Sequence, residues 1–111
     1  MSRQEISGGL ELLVLLAVMR LDEEAYGVRI CREIEHVTGR EVMLGSVYAA
    51  LERLEGKKMV RSSLGESTRE RGGRAKRYFQ LTSTGRREVA RTQRALMAMW
   101  QGLPTLARGR A

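Results

Sequence analysis

The sequence has very little cysteine, histidine and proline. Cys31, His36 and Pro104 are each the single residue of their type among 111. One cysteine cannot form an internal disulfide, which fits a protein of the reducing cytoplasm. Cys31 and His36 do not share one helical face, so the sequence predicts no metal site and no cofactor.

Long apolar segments and catalytic motifs are also missing. The longest apolar run, residues 12–19, has eight residues, whereas a membrane-spanning helix needs about 20. The N-terminus lacks the charged-then-apolar layout of a secretory signal. No glycine-rich phosphate loop follows a strand, and no serine, histidine and carboxylate form a recognisable catalytic pattern. We therefore expect neither a membrane protein nor an enzyme.

The positive charge is concentrated in one part of the chain. Residues 1–56 carry 6 basic and 10 acidic side chains, a net charge of −4, whereas residues 57–94 carry 12 basic and 3 acidic side chains, a net charge of +9. Such polarity is typical of a protein with a polyanionic partner, nucleic acid first and an acidic membrane surface second. The alternative is that the basic residues only keep a small protein in solution.

The spacing of apolar residues and of caps predicts the secondary structure. The predicted elements are a helix over residues 9–20, a helix over 25–38 preceded by Asp22 as its cap, a short strand over 41–44, a helix opened by Gly45 and capped by Ser46, strands over 59–64 and 76–81, and a helix from Thr82 or Ser83 to about residue 101.

This order predicts an α+β fold: a winged helix-turn-helix of three helices plus a β-hairpin wing, with a C-terminal dimerisation helix. We expect a winged-helix DNA-binding domain over residues 6–82, the dimerisation helix over 83–103 and a flexible tail over 104–111.

The third helix is predicted to enter the major groove of DNA. Ser46, Ala49 and Arg53 lie at i, i+3 and i+7 on the side away from the apolar stripe, and Tyr48 lies beside them. The phenol of Tyr48 can donate a hydrogen bond to a phosphate oxygen.

Four further charged residues lie on or just after this helix. Glu52 and Glu55 are expected to point along the groove wall or away from DNA, because a carboxylate close to phosphate would cost affinity. Lys57 and Lys58, just past the helix, are placed for the DNA backbone.

The hairpin tip is the strongest electrostatic signal. Five basic residues occur within nine positions: Arg69, Arg71, Arg74, Lys76 and Arg77. Gly72 and Gly73 allow a close approach to a DNA backbone or minor groove. Each phosphate contact would add a salt-dependent, sequence-independent part of the affinity. The alternative is a solvated loop with incidental arginines.

The last helix carries an apolar stripe. Its members are Val89, Leu96, Met97, Trp100 and Leu103. The stripe exceeds the need of a small core, so it predicts a homodimer, which would bury it symmetrically; the alternative is that it covers the first helix of its own chain. Near a dimer axis, Trp100 and Met97 could line a site for a small planar apolar effector, with plain packing as the alternative.

Four segments of the chain, residues 9–15, 26–30, 46–55 and 73–85, resemble PadR-type regulators. The likeness runs from about residue 8 to residue 100. It implies a bacterial transcription regulator, often a repressor, that binds a pseudo-palindrome in double-stranded DNA as a homodimer.

The resemblance also implies particular DNA contacts. These are Ser46, Tyr48 and Arg53 on the recognition helix, Arg74 and Lys76 in the wing, and Tyr26 near the DNA backbone. The chain departs from the family at Ala49, where a proline often stands. Its short C-terminus is that of the smaller branch of the family.

Two other functions stay open at this point. A protein-interaction winged helix would leave the wing acidic or neutral, which the arginine-rich tip does not. A small basic RNA-binding protein would display aromatic stacking platforms, and only Tyr78 and Phe79 lie near the basic residues.

Overall fold

Four α-helices and a β-hairpin make up the part of the chain that the computed structural model describes, residues 8–67 and 75–104. The elements, in chain order, are α1 (Gly8–Leu21), a 3-10 turn (Asp22–Glu24), α2 (Gly27–Thr38), α3 (Leu44–Gly56), β1 (Val60–Ser67), β2 (Ala75–Leu81) and α4 (Ser83–Trp100). This arrangement confirms the predicted α+β winged helix-turn-helix. None of the described helices is long and apolar enough to cross a membrane.

Helix α1 is the centre of the packing, because it contacts α2, α3, α4 and β2. Its continuous apolar run explains this position, since Val14 and Leu15 are fully buried within it. The inner face of α3 joins the same core through Val47, Leu51 and Leu54. The recognition helix is therefore held rigidly from beneath.

The short strand predicted before α3 is not observed. The strand predicted over residues 41–44 is wrong, because residues 39–43 form neither helix nor strand and α3 begins at Leu44. The segment that follows the 3-10 turn lies along β2 instead: the amide of Phe79 donates to the carbonyl of Ala25 at 2.9 Å, and Tyr26 forms a single bridge with Tyr78. This pairing fastens the start of α2 to the wing.

Two predicted helix caps are wrong and one is confirmed. Asp22 lies in the 3-10 turn with φ 55°, and Tyr26 is the residue that precedes α2. Helix α3 starts two residues before Ser46, because the backbone turn begins at Met43, whose carbonyl accepts from the amide of Val47 at 3.1 Å. The side chain of Thr82 does cap α4, accepting from a backbone amide at 3.0 Å.

The first turn of α4 lies directly against the turn that precedes β1. The amide of Thr82 donates to the carbonyl of Met59 at 3.0 Å, and the hydroxyl of Thr82 donates to the carbonyl of Lys58 at 2.6 Å. Gly85 is buried there, and a Cβ on it would overlap the Met59 carbonyl oxygen. A glycine is therefore required at this crossing.

Candidate nucleic-acid interface

The outer face of α3 is open to solvent. Ser46, Tyr48, Ala49 and Arg53 are all exposed, as the sequence predicts. They are short or polar, and they are carried by a helix whose opposite face is in the core. Such a face has the size and rigidity to enter a major groove.

Tyr48 connects α3 to the start of α2. Its ring lies over Gly27, where a Cβ would come within 2.5 Å of the ring carbon Cζ. The phenol therefore lies at the N-terminal end of α2, where the first backbone amides have no partner inside the helix and the helix dipole is positive. This end of α2 suits a phosphate group.

Lys76 is held at the same place by aromatic rings. Its Nζ lies 4.2 Å from the centre of the Tyr26 ring, a cation–π contact. The rings of Tyr26 and Tyr78 meet edge to face at 5.5 Å, and Tyr78 in turn covers Gly65 of β1. The base of the wing thus places an ammonium group over the ring of Tyr26, the residue that precedes α2.

Glu11 is a buried acidic residue that contacts two of the predicted DNA-binding residues, and the sequence reasoning did not identify it. Only 1% of it is exposed, yet its Oε2 lies 2.7 Å from Nε of Arg53 and its Oε1 lies 2.9 Å from Nζ of Lys57. A buried carboxylate is stable only with partners of this kind. The signal in the sequence was a lone acidic residue inside an apolar helix.

These two ion pairs affect how far Arg53 and Lys57, two predicted DNA contacts, are available to DNA. The side chain of Arg53 is still 54% exposed, so Glu11 orients it without covering it. The side chain of Lys57 is only 19% exposed, so a phosphate would have to compete with Glu11 for its ammonium group. Lys58 is exposed and has a φ of 66°, which turns the chain from α3 toward β1.

A groove of about 470 Å³ separates α3 from the hairpin. We name it the wing groove; its lining residues are Gly45, Tyr48, Ala49, Leu51, Glu52, Glu55, Arg77 and Phe79. Glu55 is fixed within it, since its Oε2 accepts from the hydroxyl of Ser62 at 2.9 Å and Ser62 accepts from Nε of Arg77 at 3.1 Å. Glu52 is exposed in the same groove.

Three predicted contacts in the wing tip, Arg69, Arg71 and Arg74, lie outside the described residues, as does the tail after residue 104.

The apolar stripe of α4 divides into two parts. Val89 is 8% exposed and belongs to the core of its own chain, so that part of the stripe covers α1. The other members, Leu96, Met97, Trp100 and Leu103, are exposed, and Leu103 lies beyond the end of α4. A groove of about 430 Å³, which we name the α1–α4 face, is lined by Leu12, Leu16 and Met19 of α1 and by Val89, Gln93, Leu96, Met97 and Trp100 of α4.

Cys31 and His36 are not arranged as a reactive thiol or as metal ligands in the described part of the chain. Burial, with the carboxylate of Glu35 nearby, raises the pKa of the Cys31 thiol, so it is protonated at neutral pH. His36 is exposed near the end of α2. Among the described residues, no three potential metal ligands come together.

The sequence and the fold of this chain are similar to those of known proteins. The model of the transcriptional regulator PadR-like family matches residues 15–91. A PadR-like transcriptional regulator from Bacillus cereus is 21% identical with a TM-score of 0.71, covering 91% of this chain and 93% of its own. A PadR family regulator from Clostridium difficile R20291 is 21% identical with a TM-score of 0.68, covering 83% and 91%. Comparison with curated proteins gave no match.

Proposed function

This chain belongs to the PadR-like family of transcriptional regulators, and we propose that it represses transcription by binding a pseudo-palindromic operator in double-stranded DNA as a homodimer. It is a regulator and not an enzyme. Because a regulator acts on the chromosome, we assign it to the cytoplasm.

The juxtaposition of α3 with the base of the wing supports DNA binding. The exposed face of α3 presents Tyr48 and Arg53. The Tyr48 phenol lies against Gly27, the first residue of α2, and the ammonium group of Lys76 lies over the ring of Tyr26, the residue before it. A rigid helix suits base recognition, whereas an ammonium group beside a helix N-terminus suits a phosphate. We therefore assign sequence reading to α3 and backbone contacts to Tyr26, Tyr48 and Lys76.

Selection from random duplex DNA tests this function. We expect a recovered motif with two inverted half-sites, because a symmetric dimer presents two copies of α3. Scrambled duplex and RNA of equal length are the controls. Equal binding to all three would favour a small basic RNA-binding protein, and no binding to any would favour a protein-interaction module.

Variants of Lys76 and Arg53 should separate the two kinds of contact. We expect Lys76→Ala to weaken operator and scrambled duplex alike and to lower the salt slope by about one unit per lost phosphate contact and chain. Arg53→Ala should weaken the operator selectively, by about 1–3 kcal/mol, if Arg53 reads a base. Titrations of both duplexes at two salt concentrations measure these effects.

Two conservative variants are the controls for that comparison. Lys76→Arg keeps the charge and should keep the salt slope. Arg53→Lys keeps a cation for Glu11 but loses the planar fork, so it should retain the fold and still lose discrimination. If Arg53→Ala instead weakens both duplexes equally, Arg53 clamps a phosphate and does not read a base.

We further propose that the α1–α4 face is the dimer interface and that, near the dimer axis, it offers a site for a small planar apolar effector, with Trp100 and Met97 as the contacts. The face is apolar, open and lined by adaptable methionines. Trp100 is the only tryptophan, so its fluorescence reports on this site. Flat aromatic dyes that bind there should quench the fluorescence saturably, at dye concentrations on the order of micromolar. A varied panel that leaves the fluorescence unchanged would show that these residues only pack.

A further inference from the structure

Glu52 is an acidic residue one helical turn from Ala49, on or beside the face of α3 proposed to meet DNA, although the sequence predicts that it points along the groove wall or away from DNA. It lies in the exposed second half of α3 and lines the wing groove together with Ala49 and Gly45, two residues too small to keep the helix away from a ligand. Glu55, one turn further on, is bound by the hydroxyl of Ser62. Glu52 has no hydrogen-bond or ion-pair partner among residues 8–67 and 75–104.

A free carboxylate at this place restricts what can be bound. It accepts hydrogen bonds but cannot donate them, so phosphate oxygens repel it. In the major groove, guanine and thymine present acceptors, and adenine presents its amino group next to the N7 acceptor. Cytosine presents the N4 amino group as a donor with no acceptor of its own beside it. Cytosine is therefore the base that matches a lone carboxylate.

We propose that Glu52 determines specificity by accepting a hydrogen bond from the N4 amino group of one cytosine in each half-site. The inference rests on the proposed DNA-binding function and adds a base preference to it. A second consequence follows from the charge: on duplexes without that cytosine, Glu52 meets phosphates, base acceptors or an adenine amino group with the N7 acceptor beside it, so it lowers the affinity for other DNA. One residue thus favours the operator and disfavours its competitors.

Glu52→Gln tests the proposal, because glutamine has nearly the same size but donates as well as accepts. We expect selection with this variant to change one base pair per half-site, at symmetric positions, from C·G toward A·T, since glutamine suits the N6 and N7 atoms of adenine. The wild-type preference for cytosine at that position should fall about 10-fold. Affinity for scrambled duplex should rise severalfold.

Glu35→Gln is the matched control, because it removes the same charge from an exposed site on α2. It should leave the selected motif unchanged. Thermal unfolding should be the same for the wild type and both variants, since both side chains are exposed.

Two results would overturn the inference in distinguishable ways. If the wild type selects a motif and Glu52→Gln selects the same one, with affinity raised equally for every sequence, Glu52 is only a repulsive charge. If the wild type selects no duplex motif at all, the proposed function itself fails and this base preference fails with it.

Discussion

Gly85→Ala should lower the free energy of unfolding by about 3 kcal/mol, which is a large fraction of the stability of a domain this size. The added Cβ would overlap the carbonyl oxygen of Met59 and come within 3.0 Å of its carbonyl carbon. Both are backbone atoms, and the Met59 oxygen is already bound by the amide of Thr82. Neither side of the contact can rotate away, so α4 must shift or the hydrogen bond must break.

Denaturant unfolding of the wild type and the variant measures this loss. Gly56→Ala is the matched control: it makes the same chemical change in a helix, but a Cβ there meets nothing within 4 Å. It should be neutral or stabilise the protein by about 0.5–1 kcal/mol, because alanine is the better helix former. A loss below about 1 kcal/mol for Gly85→Ala would show that α4 adjusts freely.

Trp100→Asp should convert the proposed homodimer into a monomer and lower operator affinity by about 100-fold or more. The variant puts a carboxylate in the centre of the α1–α4 face, beside Leu96 and Leu16, and a buried unpaired charge is costly. Loss of the dimer removes the gain of binding two half-sites through one molecule, which commonly reaches about 10²–10⁴ in affinity.

Light scattering gives the oligomeric state, and titration of the selected operator gives the affinity. Met99→Asp is the control, because Met99 is on the same helix, is 76% exposed and is not among the residues lining the α1–α4 face. It should keep the dimer mass. A wild-type mass near 12.5 kDa in dilute solution would contradict the homodimer directly.

Elements with a local signal could be predicted from the sequence. The apolar run of α1 is too long for a strand and too continuous for a surface helix, and it forms the central helix. Thr82, a capping residue directly after a strand, begins α4 as expected. The strands of the wing were predicted over residues 59–64 and 76–81, on either side of a charged loop with a glycine pair, and they are observed at Val60–Ser67 and Ala75–Leu81.

Elements that depend on distant partners could not be predicted in this way. Ser46 is a good cap by residue type, but α3 starts earlier, at Leu44. Residues 41–44 were predicted as a short strand, yet the free edge of β2 is taken by Ala25 and Tyr26. Which segment pairs with the edge of β2 depends on which segment the fold brings next to it, and residue type alone does not predict this.

In the candidate site too, features that depend on local sequence could be predicted, and features that depend on distant residues could not. The exposure of Ser46, Ala49 and Arg53 follows from helical spacing and is confirmed. The bond from Arg53 to Glu11 spans 42 residues of sequence, and no periodicity connects them. The cost of burying a charge shows only that Glu11 needs a cation, and it does not identify that cation.

Exchange of recognition helices between relatives is the obvious route to regulators with new operators, and Glu11 limits it. A foreign segment in place of residues 44–57 that lacks cations at positions 53 and 57 would deprive the Glu11 carboxylate of its ion pairs with Arg53 and Lys57. The chimera would then be less stable, because it would leave an unpaired buried carboxylate on α1, a helix that the exchange does not alter. A workable graft must therefore carry residue 11 of the donor together with its recognition helix, so that the transferable unit is discontinuous in sequence.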